Sequence, residues 1–285
     1  MFLADGWKDY AVLDAGGGEK LERWGEVLLC RPDPQVIWPK SRPELWQKAQ
    51  ARYARSQSGG GAWEFLQKTP ESWPIGYGEL RFLVRPTGFK HTGLFPEQAA
   101  NWDWMAGLIR GAGRPVRVLN LFAYTGGATL AALAAGANVT HLDAAKGMVT
   151  WAKENAALSG LGEKPARFLI DDALKFVLRE QRRGSVYDAI LMDPPSYGRG
   201  PDGQVWKLET EIFGLLQECV KVMSGRPLFF LLNAYTTGLQ PAVLQNLVEK
   251  TVGARFGGQV AAEELCLPVM SGGVLPCGAS GRWRA

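Results

Sequence analysis

From about residue 115 onward, strand-like and helix-like segments alternate, and that alternation admits few folds. Aliphatic, β-branched runs at 116–122, 138–143, 167–170, 187–192 and 227–232 read as buried strands. Between them lie helix-length segments at 128–135, 147–159, 173–183 and 209–223, and a further one follows at 240–252. Gly136 stops the first of these, and Gly160 and Gly162 close the second. This spacing means βαβ units and a mostly parallel sheet covered by helices. Two last strands, near 264–267 and 273–276, flank a short turn at 271–272 and are expected to form an antiparallel hairpin. The expected fold is therefore α/β, with seven strands ending in that hairpin.

The first 88 residues read differently. Gly and Pro interrupt short β-like pieces such as 27–30 and 80–84, and 56–61 reads as a connector or hairpin tip. We expect a small β-rich domain over 1–88, with one helix at about 43–55, and an α/β domain over 89–285. The chain is 46% hydrophobic and 21% charged, which excludes a disordered protein. Its 32 basic against 28 acidic residues leave only +4, compatible with a polyanionic partner without demanding one. Cys30, Cys219, Cys266 and Cys277 lack C-x-x-C spacing and only His91 and His141 could assist them, so no metal site is expected. Neither a membrane span nor an apolar leader is visible, and a reducing cytoplasmic compartment is the expectation.

Chemistry concentrates where the strands end. The first strand runs into Phe122-Ala123-Tyr124-Thr125-Gly126-Gly127 before a helix, a place where glycines let a ligand approach backbone amides. The G-x-G-x-x-G spacing of dinucleotide binding is missing, and a plain tight turn stays open as a reading. The second strand ends in Asp143-Ala144. A carboxylate there can accept both hydroxyls of a ribose, or it can cap the next helix. The third ends in Asp171-Asp172-Ala173, where Asp172 is assigned to an adenine amino group and Asp171 to helix capping. The fourth ends in Asp193-Pro194-Pro195-Ser196-Tyr197. A Pro-Pro step after an acid removes two amide donors, fixes an extended backbone and leaves acceptors suited to a base nitrogen, with Tyr197 placed to stack.

These four points, in this order and spacing, resemble the class I S-adenosylmethionine-dependent methyltransferases, whose sheet is Rossmann-like. More narrowly, F-K-H-T-G-L-F-P-E-Q at 89–98 is similar to the segment preceding the catalytic sheet in large-subunit ribosomal RNA methyltransferases acting on cytosine C5 or guanine N7. Residues 18–25 and 31–35 resemble the small N-terminal domain of a bacterial branch of that group, without its PUA module. The resemblance spans nearly the whole chain and is strongest over 88–198. It implies S-adenosylmethionine as cofactor, with Phe122 to Gly127 around the methionine moiety, Asp143 and Ala144 at the ribose, and Asp171 to Ala173 at the adenine. It also implies that Phe95 and Gln98 cover the cofactor, and that Asp193 to Tyr197 face cofactor and methyl acceptor.

One departure matters. Cytosine-C5 enzymes of this group carry a nucleophilic Cys just after the fifth strand, and here that stretch is Asn233-Ala-Tyr235-Thr-Thr237. Covalent C5 chemistry therefore loses its thiolate, and Asn233 and Tyr235 become candidates for lining the acceptor pocket. For RNA contact the expected segment is 31–55, where Arg31, Lys40, Arg42, Lys48, Arg52 and Arg55 are interleaved with Trp38, Trp46 and Tyr53. An ordinary amphipathic helix is its rival reading. Two other functions compete with RNA methylation. One is a catalytically silent protein that binds the cofactor and RNA; the other is a NAD-type oxidoreductase.

Overall fold

The computed structural model describes residues 1–56, 60–199, 205–236 and 238–285. Part of the expected connector at 56–61, and Thr237, lie outside the described residues. The chain divides into two compact units, one of Met1–Phe2, Asn101–Leu265 and Gly278–Ala285, the other of Leu3–Ala100 and Cys266–Cys277.

After β1 (Phe2–Leu3), the second of these units carries β2 (Tyr10–Gly16), β3 (Glu19–Trp24), β4 (Val27–Pro32), α1 (Pro43–Trp46), β5 (Ala51–Arg55) and β6 (Gly61–Phe65). Its five-stranded sheet runs in the order β2-β3-β4-β5-β6, and β7 (Trp73–Tyr77) pairs with β8 (Leu80–Val84). The helix expected at 43–55 shrinks to α1, and the correction has a local cause. Gln50 joins Leu28 through two hydrogen bonds, Gln50 N–H to the Leu28 carbonyl and Leu28 N–H to Gln50 Oε1, both 2.8 Å. That draws the following residues into a strand, where Ala51 and Tyr53 are buried and Arg52 and Arg55 exposed. The period is 2, not 3.6.

The other unit contains α2 (Ala99–Gly111), β9 (Arg117–Leu121), α3 (Gly127–Ala134), β10 (Asn138–Asp143), α4 (Lys146–Leu158), β11 (Ala166–Ile170), α5 (Ala173–Arg182) and β12 (Ala189–Met192). There follow β13 (Tyr197–Arg199), β14 (Val205–Lys207), α6 (Leu208–Lys221), β15 (Phe229–Ala234) and α7 (Pro241–Val248). A π-turn at Glu249–Gly253 and α8 (Ala254–Phe256) follow, then β16 (Gln259–Pro268) and β17 (Val274–Arg284), which belong to this unit up to Leu265 and from Gly278. The main sheet has the order β1-β16-β17-β15-β12-β9-β10-β11. Its seven expected strands gain an eighth in Phe2–Leu3 at the edge. The five strands from β15 to β11 are parallel, and β17 runs antiparallel to β15. All six residues of β15 are buried, as a strand covered on both faces requires. Leu119, Leu121, Ile190, Met192, Phe230 and Leu232 join one apolar core with residues of α5, α6 and α7. Besides β1, the sequence reading contains neither α2 nor the β13–β14 hairpin. Among the described residues no helix is long and apolar enough to cross a membrane.

Candidate active site

The strand order reverses between β9 and β12, because β9, β10 and β11 step one way and β12 falls on the other side of β9. Open α/β sheets bind ligands beyond the carboxyl ends of such strands. Registry makes the point residue by residue. Leu232, Met192, Leu121, Leu142 and Leu169 form one continuous rung across five strands. The next residues along are Asn233, Asp193, Phe122, Asp143 and Ile170, so the polar residues singled out from the sequence emerge together at one edge.

The loop after β9 is built under strain. Phe122 has φ +55° and Tyr124 φ +51°, the left-handed region that side chains avoid. Three contacts hold it there: the Ala123 N–H donates to the Leu142 carbonyl (3.0 Å), the Tyr124 N–H to Asp143 Oδ2 (2.9 Å), and Asn155 Nδ2 to the Thr125 carbonyl (2.9 Å). Gly126 follows at φ +89°, and a Cβ there would meet the Ala152 Cβ at 3.0 Å. On Gly127 it would stand 2.5 Å from the Trp102 ring. Both positions exclude larger residues, so the glycine pair serves close packing of the loop as well as its turn. Beneath lies a buried polar chain in which Asn120 Nδ2 donates to Thr129 Oγ1, itself 2.9 Å from His141 Nδ1. Burial and the nearby Lys153 hold the His141 pKa down at about 3, so the ring is neutral in ordinary buffers.

Asp143 does not cap α4, whose N-cap is Ala145 without a side-chain bond. Its Oδ1 instead accepts the Ala145 N–H at 2.8 Å while Oδ2 holds Tyr124. Each oxygen keeps capacity for one more donor, which is what a pair of vicinal ribose hydroxyls requires. Burial raises its pKa above the ordinary aspartate value, outweighing the two backbone donors. Ala144 beside it is exposed. At the third strand the helix cap is Asp172, not the expected Asp171. Asp172 is the N-cap of α5, its Oδ1 accepting the Lys175 N–H at 2.9 Å. Asp171 instead binds the Asp172 N–H and pairs with Arg179, and Ala173 is buried as the first helical residue. The cause is geometric: α5 starts one residue later than a cap at Asp171 would need.

At the fourth strand Asp193 is half-buried, Pro194 buried, and Pro195, Ser196 and Tyr197 exposed. The Trp206 indole, on β14, donates to the Pro195 carbonyl (2.6 Å) and its ring packs against Phe122 at 5.5 Å. Trp206 thus ties the acceptor-side segment to the loop after β9. The sequence reading missed it, and the Gly-rich stretch 198–203 before it was the available hairpin signal. Thr236 Oγ1 donates to Ser196 Oγ (2.6 Å). Tyr235 lies half-buried, with Gly278 leaving room beside its ring. Asn233 is 3% exposed, and its Oδ1 accepts from Asn101 Nδ2 (3.0 Å) and Ser280 Oγ (2.5 Å), while Asn101 Oδ1 accepts from Arg282, so it is part of a buried polar network.

Residues expected in the first 100 positions lie in the other unit. Phe95 precedes a 3-10 turn, Pro96–Gln98, in which Gln98 is buried. The basic segment 31–55 is also corrected there. Arg31 is buried against Glu22, and Lys40 and Arg52 both pair with Glu19. Trp38 and Trp46 donate inward to the Ala15 carbonyl and to Asp14, and Tyr53 packs edge-on to Trp63. Of the six basic residues of 31–55, Arg42 and Lys48, both exposed beside α1, and Arg55 have no ion pair among the described residues.

Asp143→Ala is expected to weaken binding of S-adenosylhomocysteine by roughly 1.5–3 kcal/mol, the range for a charge-assisted hydrogen bond. Calorimetry measures it, and an affinity unchanged within about twofold in a folded variant would remove Asp143 from the site.

Residues 38–235 match a family model described as S-adenosylmethionine-dependent methyltransferase. The "Ribosomal RNA large subunit methyltransferase K/L" of Shewanella baltica is 32% identical over 207 residues, which is 71% of this chain and 27% of that protein. Its namesake in Syntrophotalea carbinolica is 33% identical over 144 residues, 50% of this chain and 19% of that one. The chain therefore spans well under a third of the length of these curated relatives. The crystal structure of the S-adenosylmethionine-dependent methyltransferase from Agrobacterium tumefaciens is 40% identical with a TM-score of 0.93, covering 99% of this chain and 93% of that one. A methyltransferase structure complexed with S-adenosylhomocysteine, 19% identical with a TM-score of 0.75 over 98% of this chain and 76% of that one, shares the fold.

Proposed function

The chain belongs to the family of S-adenosylmethionine-dependent methyltransferases, and we propose that it methylates ribosomal RNA at a base nitrogen, working in the cytoplasm. The observation that carries the acceptor side is the rung that sets Asp193 next to Phe122 and continues into Pro194-Pro195-Ser196-Tyr197. The name and 32% identity of the curated relatives support ribosomal RNA as the substrate class.

The chemistry supplied by bound S-adenosylmethionine is an electrophilic methyl on a sulfonium, a leaving group needing little activation. The residues present fit that group. The backbone of Phe122 to Gly127 would hold its methionine part, Asp143 beside Ala144 would take the ribose hydroxyls, and Asp171 to Ala173 would flank the adenine. The chain's own task is then to orient an acceptor and exclude water. Asp193 and the Pro194 carbonyl hold the hydrogens of an exocyclic amine or ring nitrogen. Tyr197, 53% exposed, stacks on the base, and Ser196 and Tyr235 border it.

No thiolate serves C5 chemistry. Cys219 is buried in α6, and burial pushes its thiol up, as it does for Cys277 and for Cys30, the last to about 12. Cys266 is buried in β16. At neutral pH the three shifted thiols hold their protons. Direct transfer to nitrogen needs none of them.

Incubation with methyl-labelled cofactor and large-subunit ribosomal RNA from a strain lacking the gene is expected to label one base at nitrogen, identified by nucleoside mass spectrometry. Cofactor binding without transfer to any RNA would leave only a silent binder. A cysteine-dependent, denaturation-resistant adduct with 5-fluorocytosine RNA would overturn the nitrogen assignment.

A further inference from the structure

Within 31–55 the charges of Arg31, Lys40 and Arg52 are taken by carboxylates, which turns attention to what lies beside the cation Arg55 in the same unit. One short turn stands out there. In residues 87–91 the backbone carbonyls face inward and are engaged. Trp63 Nε1 donates to those of Thr87 (2.9 Å) and Phe89 (3.1 Å), Arg31 Nη1 to that of Lys90 (3.1 Å), and Thr87 Oγ1 to that of His91 (2.9 Å). A turn pinned this thoroughly still leaves the Phe89 ring 69% exposed. Its neighbour Lys90 is half-buried and makes no ion pair among the described residues.

The charges around Lys90 deepen the contrast. Glu22 is taken by Arg31 through Nε (2.5 Å) and Nη2 (2.6 Å) and by the Tyr10 hydroxyl, while Asp33 faces Lys20 at 3.3 Å. Burial and then Lys20, Arg31 and Arg55 push the Lys90 pKa down, with Asp33 opposing. Burial, then Arg31, Lys90 and Lys20 hold His91 down at about 4, so it stays neutral. A half-buried ammonium among cations, beside a rigidly presented bare aromatic ring, complements a phosphodiester joined to a base.

We propose that the turn at 87–91 is a nucleotide subsite for single-stranded RNA, with Phe89 as the stacking platform and Lys90, seconded by Arg55, as the phosphate contact. It rests on the reading of RNA as the acceptor. Preorganisation of the backbone is what the four engaged carbonyls provide: the turn that carries the ring and the ammonium needs no ordering when the strand arrives.

The test uses the intact chain and fluorescence anisotropy with a short single-stranded oligoribonucleotide across a salt series. Phe89→Ala is expected to weaken binding about tenfold, and Phe89→Trp to restore it. Lys90→Gln should flatten the slope of log affinity against log salt by about 0.7. Arg52→Ala should change that slope by less, because Glu19 already holds its guanidinium. Affinity for S-adenosylhomocysteine should be unchanged in all four. If Phe89→Ala and Lys90→Gln match the parent protein while that protein still methylates RNA, the subsite is overturned and the acceptor assignment stands. If the parent neither binds nor methylates any RNA, both fall.

Discussion

Asp193→Ala is expected to slow methyl transfer to RNA at least ~100-fold while leaving affinity for S-adenosylhomocysteine within about twofold. Asp193 follows Met192, which pairs with Leu121, so its backbone leaves the sheet next to the first residue of the strained loop. It has little freedom to move. Pro194 is buried and fixes the next φ, and the Pro195 carbonyl is held by Trp206. An acceptor nitrogen that loses this partner is misplaced, and displacement by about 1 Å costs on the order of 10²-fold in rate. The cofactor contacts proposed for Asp143 and the loop amides are untouched by the substitution, which is why binding should survive. The opposite split, weaker cofactor binding with turnover retained at saturation, would move Asp193 to the cofactor side.

The parallel sheet was legible because period and punctuation agree there. Runs such as Ala189–Met192 and 229–232 are apolar throughout, as strands buried on both faces must be. The segment 43–55 misled because its first residues, with Pro43 at a helix start, do begin a helical turn. Only the tertiary pairing of Gln50 with Leu28 ends it, and that partner lies 22 residues away. The β13–β14 hairpin is three residues a side and carries too little pattern to be read locally.

For the site, residue types at strand ends located the edge, while side-chain direction stayed hidden. Asn233 occupies the same rung as Asp193, so position alone placed it with the acceptor. Its partners Asn101 and Ser280 are 132 and 47 residues away and turn it into the interior. The choice between Asp171 and Asp172 hung on a one-residue helix boundary, the least readable feature of any sequence. Charge patterning failed for a related reason. Arg31 and Arg52 look like free cations until β3 brings Glu22 and Glu19 alongside them.

Arg31→Met should lower the stability of the unit holding β2 to β8 by about 3–5 kcal/mol at pH 7, the cost of stranding a buried charge. Glu22 is fully buried, and its carboxylate is satisfied by Arg31 and the Tyr10 hydroxyl at 2.7 Å. Arg31 and Lys20 hold the Glu22 pKa at about 2, although burial alone would raise it. A depressed carboxylate pKa contributes stability that is complete above the unfolded value of about 4.3 and is lost as pH falls toward about 2. In the parent protein, acidification through that window should therefore destabilise the unit. In Arg31→Met the sign reverses: burial then dominates, Glu22 prefers its proton, and stability recovers as pH falls from 7 toward 4. Replacing the pair together, Arg31→Met with Glu22→Leu, should restore most of the loss, since two apolar side chains carry no desolvation penalty. Urea unfolding at pH 7 and pH 4, followed by fluorescence of Trp24, whose ring lies 5.2 Å from the Arg31 guanidinium, reads all three. A loss below about 1 kcal/mol at pH 7 in the single variant would show that water reaches Glu22 and that the pair is not sealed in the core.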